Sequence, residues 1–382
     1  MDFSLTEEQQ LLQREIIRFA QQELNADAAE RDRHEIFPHE QWLKCGQMKL
    51  QGLPIPEEYG GAELDPLSMA IALEALGYAC HDSGLVFAIG AHLFASVIPI
   101  WKNGSTEQKR RYLPGLCNGT LIAANAMTEP NSGSDAFAML SRAEAEGTGY
   151  RLQGAKIFIS NAPYADLFLV FARMGSAPAN HGSITGFLID KGTPGLKVRK
   201  QSGKMGLRTA PLGEVVLEDV YVPSHAVLGE IGGGANIFME AMDWERIGIF
   251  AGHVGTMARL LEKALQHART RKQFGQTIGK FQAVAHRLAD MKTQLEAARW
   301  LTYKAAWELD RGRAVSLEAA MTKLFVSESL VKAALDTVQI FGGYGFMAES
   351  EVERALRDAV GSTIYSGTSQ MQRNIIAKWL GL

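Results

Sequence analysis

YRLQGAKIFIS, Tyr150–Ser160, decides how the middle of this 382-residue chain is read. With ADLFLVFARM (Ala165–Met174), ITGFLID (Ile184–Asp190), GLKVRK (Gly195–Lys200) and GEVVLEDVYVP (Gly213–Pro223) it makes a series of short runs rich in β-branched and aromatic residues, parted by Gly, Pro, Asn and Ser. Such runs predict strands. No regular turn-helix unit interrupts them, which argues for an antiparallel β-domain and against a parallel doubly wound sheet.

On either side the texture is helical. The first 120 residues carry capping signals and turns such as PEEYGG (Pro56–Gly61). The opening MDFSLTEEQQLLQREIIRF reads as an amphipathic helix capped by Ser4 or Thr6, and its early acidic residues are unlike a signal or transit peptide. After IGGGAN (Ile231–Asn236) long helices return: Val284, Leu288, Met291, Leu295 and Ala298 step by four, three, four and three, the spacing of one buried helical face. The expected organisation is α+β: an all-α domain over 1–120, a β-domain over 121–230 and a helical bundle over 231–382. A chain this long exceeds the size at which one core stops growing.

Composition excludes several functions. An apolar fraction of 46% suits a globular protein. Thirty-nine basic against forty-two acidic side chains leave a charge of −3, which gives no electrostatic reason to bind nucleic acid or an anionic membrane. Ser83–Trp101 is apolar enough to raise the question of a membrane span, but His92, Pro99 and two glycines within it favour a buried core helix. Cys45, Cys80 and Cys117 follow no metal-ligand or CxxC spacing and read as reduced, buried thiols of a cytoplasmic protein. GGGAN and GQTIGKF miss the dinucleotide and phosphate-loop patterns and read as loops, and HExxH, GxSxG and metal-ligand clusters are absent from the sequence. No metal is expected.

Four stretches carry chemical possibilities. AMTEPNSGSD (Ala126–Asp135) is a loop dense in hydroxyls and backbone donors that could cradle a polar heteroaromatic ring. ARTRKQFG (Ala268–Gly275) gathers cations at a helix end, a setting suited to phosphate. FGGYGF (Phe341–Phe346) offers glycines where a backbone could approach a ligand, or simply a helix stop. STIYSGTSQMQR (Ser362–Arg373) is hydroxyl-rich yet contains neither carboxylate nor histidine, so any base must come from elsewhere.

These motifs, together with KIFISNAPYAD, GLRTAPLGEVVLEDVYVP, ERIGIFAGHVG, RTRKQFGQTIGKFQAV, QIFGGYGFMAE and NIIAKWL, stand in the order found in the acyl-CoA dehydrogenase family, which the chain resembles from end to end. The resemblance implies an N-terminal helical domain, a middle β-domain and a C-terminal four-helix bundle. It also implies FAD and oxidation of an acyl thioester: a carboxylate takes the α proton, the β carbon gives hydride to flavin N5, and hydrogen bonds polarise the thioester carbonyl. By position, Met127, Thr128 and Ser134 would lie along the flavin ring, with Phe158 and Ser160 on its other side. Phe158 replaces the tryptophan common there. Arg271, Gln273, Phe274, Gln282, Gln339, Gly342 and Gly343 match positions that hold the FAD pyrophosphate and adenosine across a subunit interface, and Thr368 and Gln370 match further cofactor contacts. A homotetramer follows by analogy.

Many family members carry the catalytic glutamate where this chain has Ser366, between Tyr365 and Gly367 of the expected substrate pocket. A serine hydroxyl is too weak a base for a carbon-bound proton. A minority place the glutamate on the first bundle helix, just before an arginine, and here MEAMDWERIGIF provides Glu245 and Arg246. Glu245 is therefore the expected base, with Arg246 positioning it or its neighbours and Glu240 as the fallback. DSGLVFAIGAHLFASVIPI, SNAPYADLF, HARTRKQFG and STIYSGTSQMQ further resemble the branch that oxidises L-prolyl groups on a peptidyl or acyl carrier protein. The rival expectations are a branched- or short-chain acyl-CoA dehydrogenase of catabolism and, suggested by Ser366 but opposed by Glu245, a non-catalytic flavin-binding assembly protein. An electron-transfer flavoprotein or oxygen would reoxidise the flavin.

Overall fold

In a computed structural model describing residues 3–175 and 181–382, helix α1 (Glu7–Glu23) begins at Thr6. The Thr6 hydroxyl accepts from the Gln9 amide at 3.2 Å while the Gln9 side chain accepts from the Thr6 amide at 3.1 Å. This reciprocal box makes Thr6, rather than Ser4, the cap. Helices α2 (Ala28–His34), α3 (His39–Gln47), α4 (Pro66–Ala79), α5 (Ser83–His92), α6 (Ile98–Asn103) and α7 (Thr106–Cys117) complete the first domain. All three cysteines are free and buried there.

Ser83–Trp101 was expected as one core helix. It is long and apolar enough to span a membrane, but it is largely buried in protein, as expected of a core helix, and it runs on through a π-helical turn at Leu93–Val97 between α5 and α6. Pro99 is part of the reason for the π turn, because it has no N–H to donate to the carbonyl four residues earlier. That carbonyl, on Ala95, accepts instead from Asn125 Nδ2 at 2.6 Å. His92 is fully buried in the same stretch, its Nε2 against Leu116 O and its Nδ1 accepting from the Ala123 amide, both at 3.0 Å. Burial brings this imidazole down to about 4, so it is a neutral strut to the next domain.

The middle domain is a sheet of β1 (Ala123–Ala126), β2 (Arg142–Glu146), β3 (Gly149–Ser160), β4 (Leu167–Met174), β5 (Ile184–Asp190), β6 (Leu196–Gln201), β7 (Leu212–Pro223) and β8 (Val227–Leu228). Its order is β6-β7-β3-β2-β4-β5-β8, and most ladders are antiparallel as expected. The expectation of a wholly antiparallel domain needs correction at β4, which runs parallel to both β1 and β2. Strand β3 lies between β2 and β4 in sequence, so two chain reversals leave β2 and β4 pointing the same way. Strands β1 and β2 sit end to end along one edge of β4, at Leu167–Val170 and Arg173–Met174 respectively. The loop between them, 127–141, is therefore an excursion from a single edge.

The last domain opens with α8 (Gly234–Thr270); the GGGAN stretch, expected as a loop, supplies its first turn. A small two-stranded ribbon, β9 (Lys272–Gln273) and β10 (Gln276–Thr277), leads to α9 (Gln282–Asp310), α10 (Ser316–Phe341), α11 (Gly343–Phe346), α12 (Val352–Gly361) and α13 (Ser369–Trp379). Three long helices, with α12 and α13 packed on α10, make the bundle. Leu288, Met291, Leu295 and Ala298 are buried as their spacing predicts, and Val284 is half-buried. One apolar core joins the two helical domains and a second fills the sheet. Helices α4 and α8 meet at glycines: a Cβ on Gly77 would stand 1.9 Å from Gly252 O, and one on Gly255 would stand 2.0 Å from Glu74 O. Backbone touches backbone there, which fixes how α8 crosses the first domain.

Candidate active site

Where the three domains meet lies a cleft of about 940 Å³. The loop 127–141 and the end of β3 form one wall, α8 another, and the turn between α12 and α13 a third. Met127, Thr128, Ser134, Phe158, Ser160, Glu245, Arg246, Tyr365, Ser366 and Gly367, all expected from the sequence, line this one space.

The loop wall is held by a buried ion pair that the sequence reading did not single out. Lys156 Nζ, fully buried, donates to Glu129 Oε1 at 2.8 Å and to Met127 O at 3.1 Å. Glu129 also accepts from the amides of Leu140 and Ser141, at 2.6 and 2.9 Å. One carboxylate thus ties both ends of the loop to β3. Burial brings Lys156 down to about 8, while Lys156 and the loop amides hold Glu129 below the usual carboxylate range. The available signal was a lysine among the apolar residues of AKIFIS.

Phe158, beside this pair, has φ 58° and is 62% exposed. A bulky residue in the left-handed region is an outlier that costs about 1–3 kcal/mol and persists where the surroundings impose it. Here the pairing of β3 with β7 slips between Lys156 and Ile159, and the bulge turns Phe158 into the cleft wall.

Three carboxylates line the cleft, and their surroundings separate them. Asp135 is exposed. Asp243 has both oxygens engaged, Oδ1 with Arg246 at 3.2 Å and Oδ2 with the Ser316 hydroxyl at 2.5 Å. Glu245 is buried and accepts from the Ser366 hydroxyl through Oε1 at 2.5 Å, while Oε2 has no hydrogen bond among the described residues. Burial raises its proton affinity; Ser366 and the Arg246 charge oppose the rise without cancelling it. Glu240, the fallback, is exposed and outside the cleft. Arg246 does not bond the Glu245 carboxylate: its Nε donates to Ser366 O at 3.2 Å, so it positions neighbouring groups. Tyr365 packs on Phe87, ring centroids 4.6 Å apart, and its hydroxyl meets His253 Nε2 at 2.5 Å.

The other expected cofactor residues stand elsewhere. Thr368 caps α13, accepting from the Met371 amide at 3.3 Å, and Gln370 is exposed. Arg271, Gln273, Phe274, Gln282, Gln339, Gly342 and Gly343 are exposed and cluster at the far end of α8, where Arg271 lies over the Tyr344 ring at 5.7 Å. At 1.5 Å per residue, Thr270 is roughly 37 Å along α8 from Glu245. Within one chain these residues and the cleft are two separate sites.

The cleft fits the flavin end of FAD. It has the volume, a strained aromatic in its wall and hydroxyls at Thr128, Ser134 and Ser160, and the backbone N–H groups of Ser366 and Gly367 donate to no group among the described residues. A buried carboxylate with one free oxygen beside a space for a redox-active ring defines a flavin-dependent dehydrogenase site. The chain belongs to the acyl-CoA dehydrogenase family: the family's N-terminal, middle and C-terminal domains match residues 6–120, 124–220 and 232–381. FAD is its cofactor and acyl dehydrogenation its chemistry. Among relatives, it is 44% identical to the L-prolyl-[peptidyl-carrier protein] dehydrogenase of Pseudomonas fluorescens, over 100% of both chains. Among solved structures, the prolyl acyl carrier protein oxidase AnaB is 46% identical with TM-score 0.97, covering 99% of this chain and 100% of that one. PigA with FAD and proline is 41% identical with TM-score 0.98, covering 100% of both.

Proposed function

We propose that the protein oxidises an acyl group held as a thioester on a carrier protein, with an L-prolyl group as substrate, and that Glu245 takes the α proton. The observation that carries the mechanism is the contrast among the three cleft carboxylates: Glu245 alone is both buried and has an oxygen free to accept a proton. When bound, FAD supplies the hydride acceptor for the β position. Glu245 must be ionised before reaction, and burial places its proton affinity nearer the working pH than that of an exposed glutamate. The unengaged N–H groups of Ser366 and Gly367 are donors available to a thioester carbonyl. Tyr365 and Phe87 make the apolar side of the space, excluding water from the carboxylate.

The prolyl-carrier reading draws on the named relatives, which span the whole chain. A homotetramer in the cytoplasm is proposed with it, the exposed Arg271 to Gly343 cluster of one protomer holding the cofactor of its partner. Oxygen or an electron-transfer flavoprotein is the proposed acceptor. The test is anaerobic absorbance of the FAD-loaded protein mixed with prolyl-loaded carrier protein and, separately, with short, branched and long acyl-CoAs. Bleaching by the prolyl carrier alone is expected. Bleaching by an acyl-CoA alone would move the enzyme to acyl-CoA oxidation.

A further inference from the structure

We propose that Ser366 is a positioning residue for Glu245: its hydroxyl locks one carboxylate oxygen and holds the charge on the base, leaving the other oxygen as the proton acceptor. The inference rests on the reading of Glu245 as base and assigns a task to the residue that stands where a glutamate is common in the family.

The geometry shows a built contact. Ser366 is buried and sits at φ 56°, followed by Gly367 at φ 85°. Two consecutive left-handed residues, one of them not glycine, do not persist without support. The support is a clamp on the Ser366 carbonyl, which accepts from Arg246 Nε at 3.2 Å and from Gln372 Nε2 at 3.1 Å. Gln372 is itself fully buried and also donates to Gly367 O at 2.9 Å. Arg246 is in turn anchored by Asp243, and Asp243 by Ser316. A chain of contacts from α10 through α8 to the turn thus fixes the serine backbone, and with it the hydroxyl 2.5 Å from Glu245 Oε1. A clamp of this kind is not needed to bury a serine, but it is needed to aim one.

A glutamate side chain has several rotatable bonds, and a buried carboxylate left without donors would be protonated or would turn toward Arg246. A donated hydroxyl prevents both. It supplies a charge-assisted hydrogen bond to the ionised form, which opposes the effect of burial, and it leaves Oε2 unbound on the cleft side. Most other charged and titratable groups around Glu245 are bonded to one another, and none donates to its carboxylate. On α8, Arg246 and Asp243 hold each other, and on the turn Tyr365 meets His253. Lys323 of α10 lies over the Phe250 ring at 5.8 Å, and its buried Nζ has no hydrogen-bond partner among the described residues, Glu245 included. Helix α5 contributes Phe87 and Ala91 to the cleft. Ser366 is the one hydrogen-bond donor to the Glu245 carboxylate among the described residues.

The test uses the full-length, FAD-loaded protein with Ser366→Ala and Ser366→Gly; glycine suits the left-handed backbone, so at least one variant retains the turn. Two readouts are taken. The first is the pH dependence of anaerobic flavin reduction by whichever thioester reduces the parent. The second is an infrared titration of the Glu245 carboxyl without substrate, assigned by its loss in Glu245→Gln. Removing the donor leaves the charged form less stabilised, so both variants are expected to titrate about one pH unit higher. The acid limb of the rate profile should move with it, lowering the rate on that limb about tenfold with little change in KM. An unshifted carboxyl titration and acid limb in both variants would overturn the proposal. If Glu245→Gln is inactive while the serine variants behave as the parent, the serine assignment alone fails. If Glu245→Gln reduces flavin at the parent rate, the base assignment fails and the serine proposal falls with it.

Discussion

Glu245 and Asp243 sit two residues apart on one helix, and the difference between them is in what each oxygen touches. Asp243 spends both oxygens on Arg246 and Ser316, while Glu245 spends one on Ser366. In the proposed mechanism Glu245 must be ionised to act, and since burial raises its proton affinity, activity should fall as pH drops through its raised value. The Lys156–Glu129 pair gives a second prediction at this scale. Lys156→Met leaves the Glu129 charge buried without its cation, which is expected to cost about 3–5 kcal/mol and to loosen FAD. Unfolding of the holoenzyme and flavin retention would show it, and adding Glu129→Gln should recover part of the loss. Glu245 was legible in the sequence because a vacancy at Ser366 and an ER pair on a helix could be read together. The hydroxyl contact between Ser366 and Glu245 was not legible, since it spans more than a hundred positions and depends on the clamp on the Ser366 carbonyl.

At the scale of elements, α8 links the cleft to the exposed cluster beyond its C-terminal end. It holds Glu245 near the end of its first third and Arg271 just past its end, and its placement is set by the glycine contact with α4. Gly77→Ala puts a methyl group against a carbonyl oxygen 1.9 Å away, so α8 must shift. The expected cost is about 1–3 kcal/mol or more, read as a lower denaturant midpoint. Flavin reduction should also slow, because the shift moves Glu245. Strand and helix identities were legible from local texture. The parallel pairing of β4 and the π turn after His92 were not: the first is set by which strands become neighbours, the second by an interdomain bond from Asn125 that takes up the Ala95 carbonyl.

At the scale of the molecule, three domains meet at one cleft, and the second set of residues proposed to hold a cofactor lies exposed at the far end of α8. The division between the two follows from the length of α8, 37 residues, and it is why a partner protomer enters the proposed function. The resemblance assigned the two sets to different parts of FAD across a subunit interface; the fold adds the separation within one chain, with Met127, Thr128 and Ser160 at the cleft and Arg271 and Gly342 near the far end of α8. The proposed mechanism turns on Glu245 taking the proton. Its most direct test is anaerobic flavin bleaching in Glu245→Gln, which keeps the side chain's size and removes its capacity as a base. With FAD still bound, the rate with the thioester that reduces the parent should fall at least about a hundredfold. Bleaching at the parent rate would contradict the account.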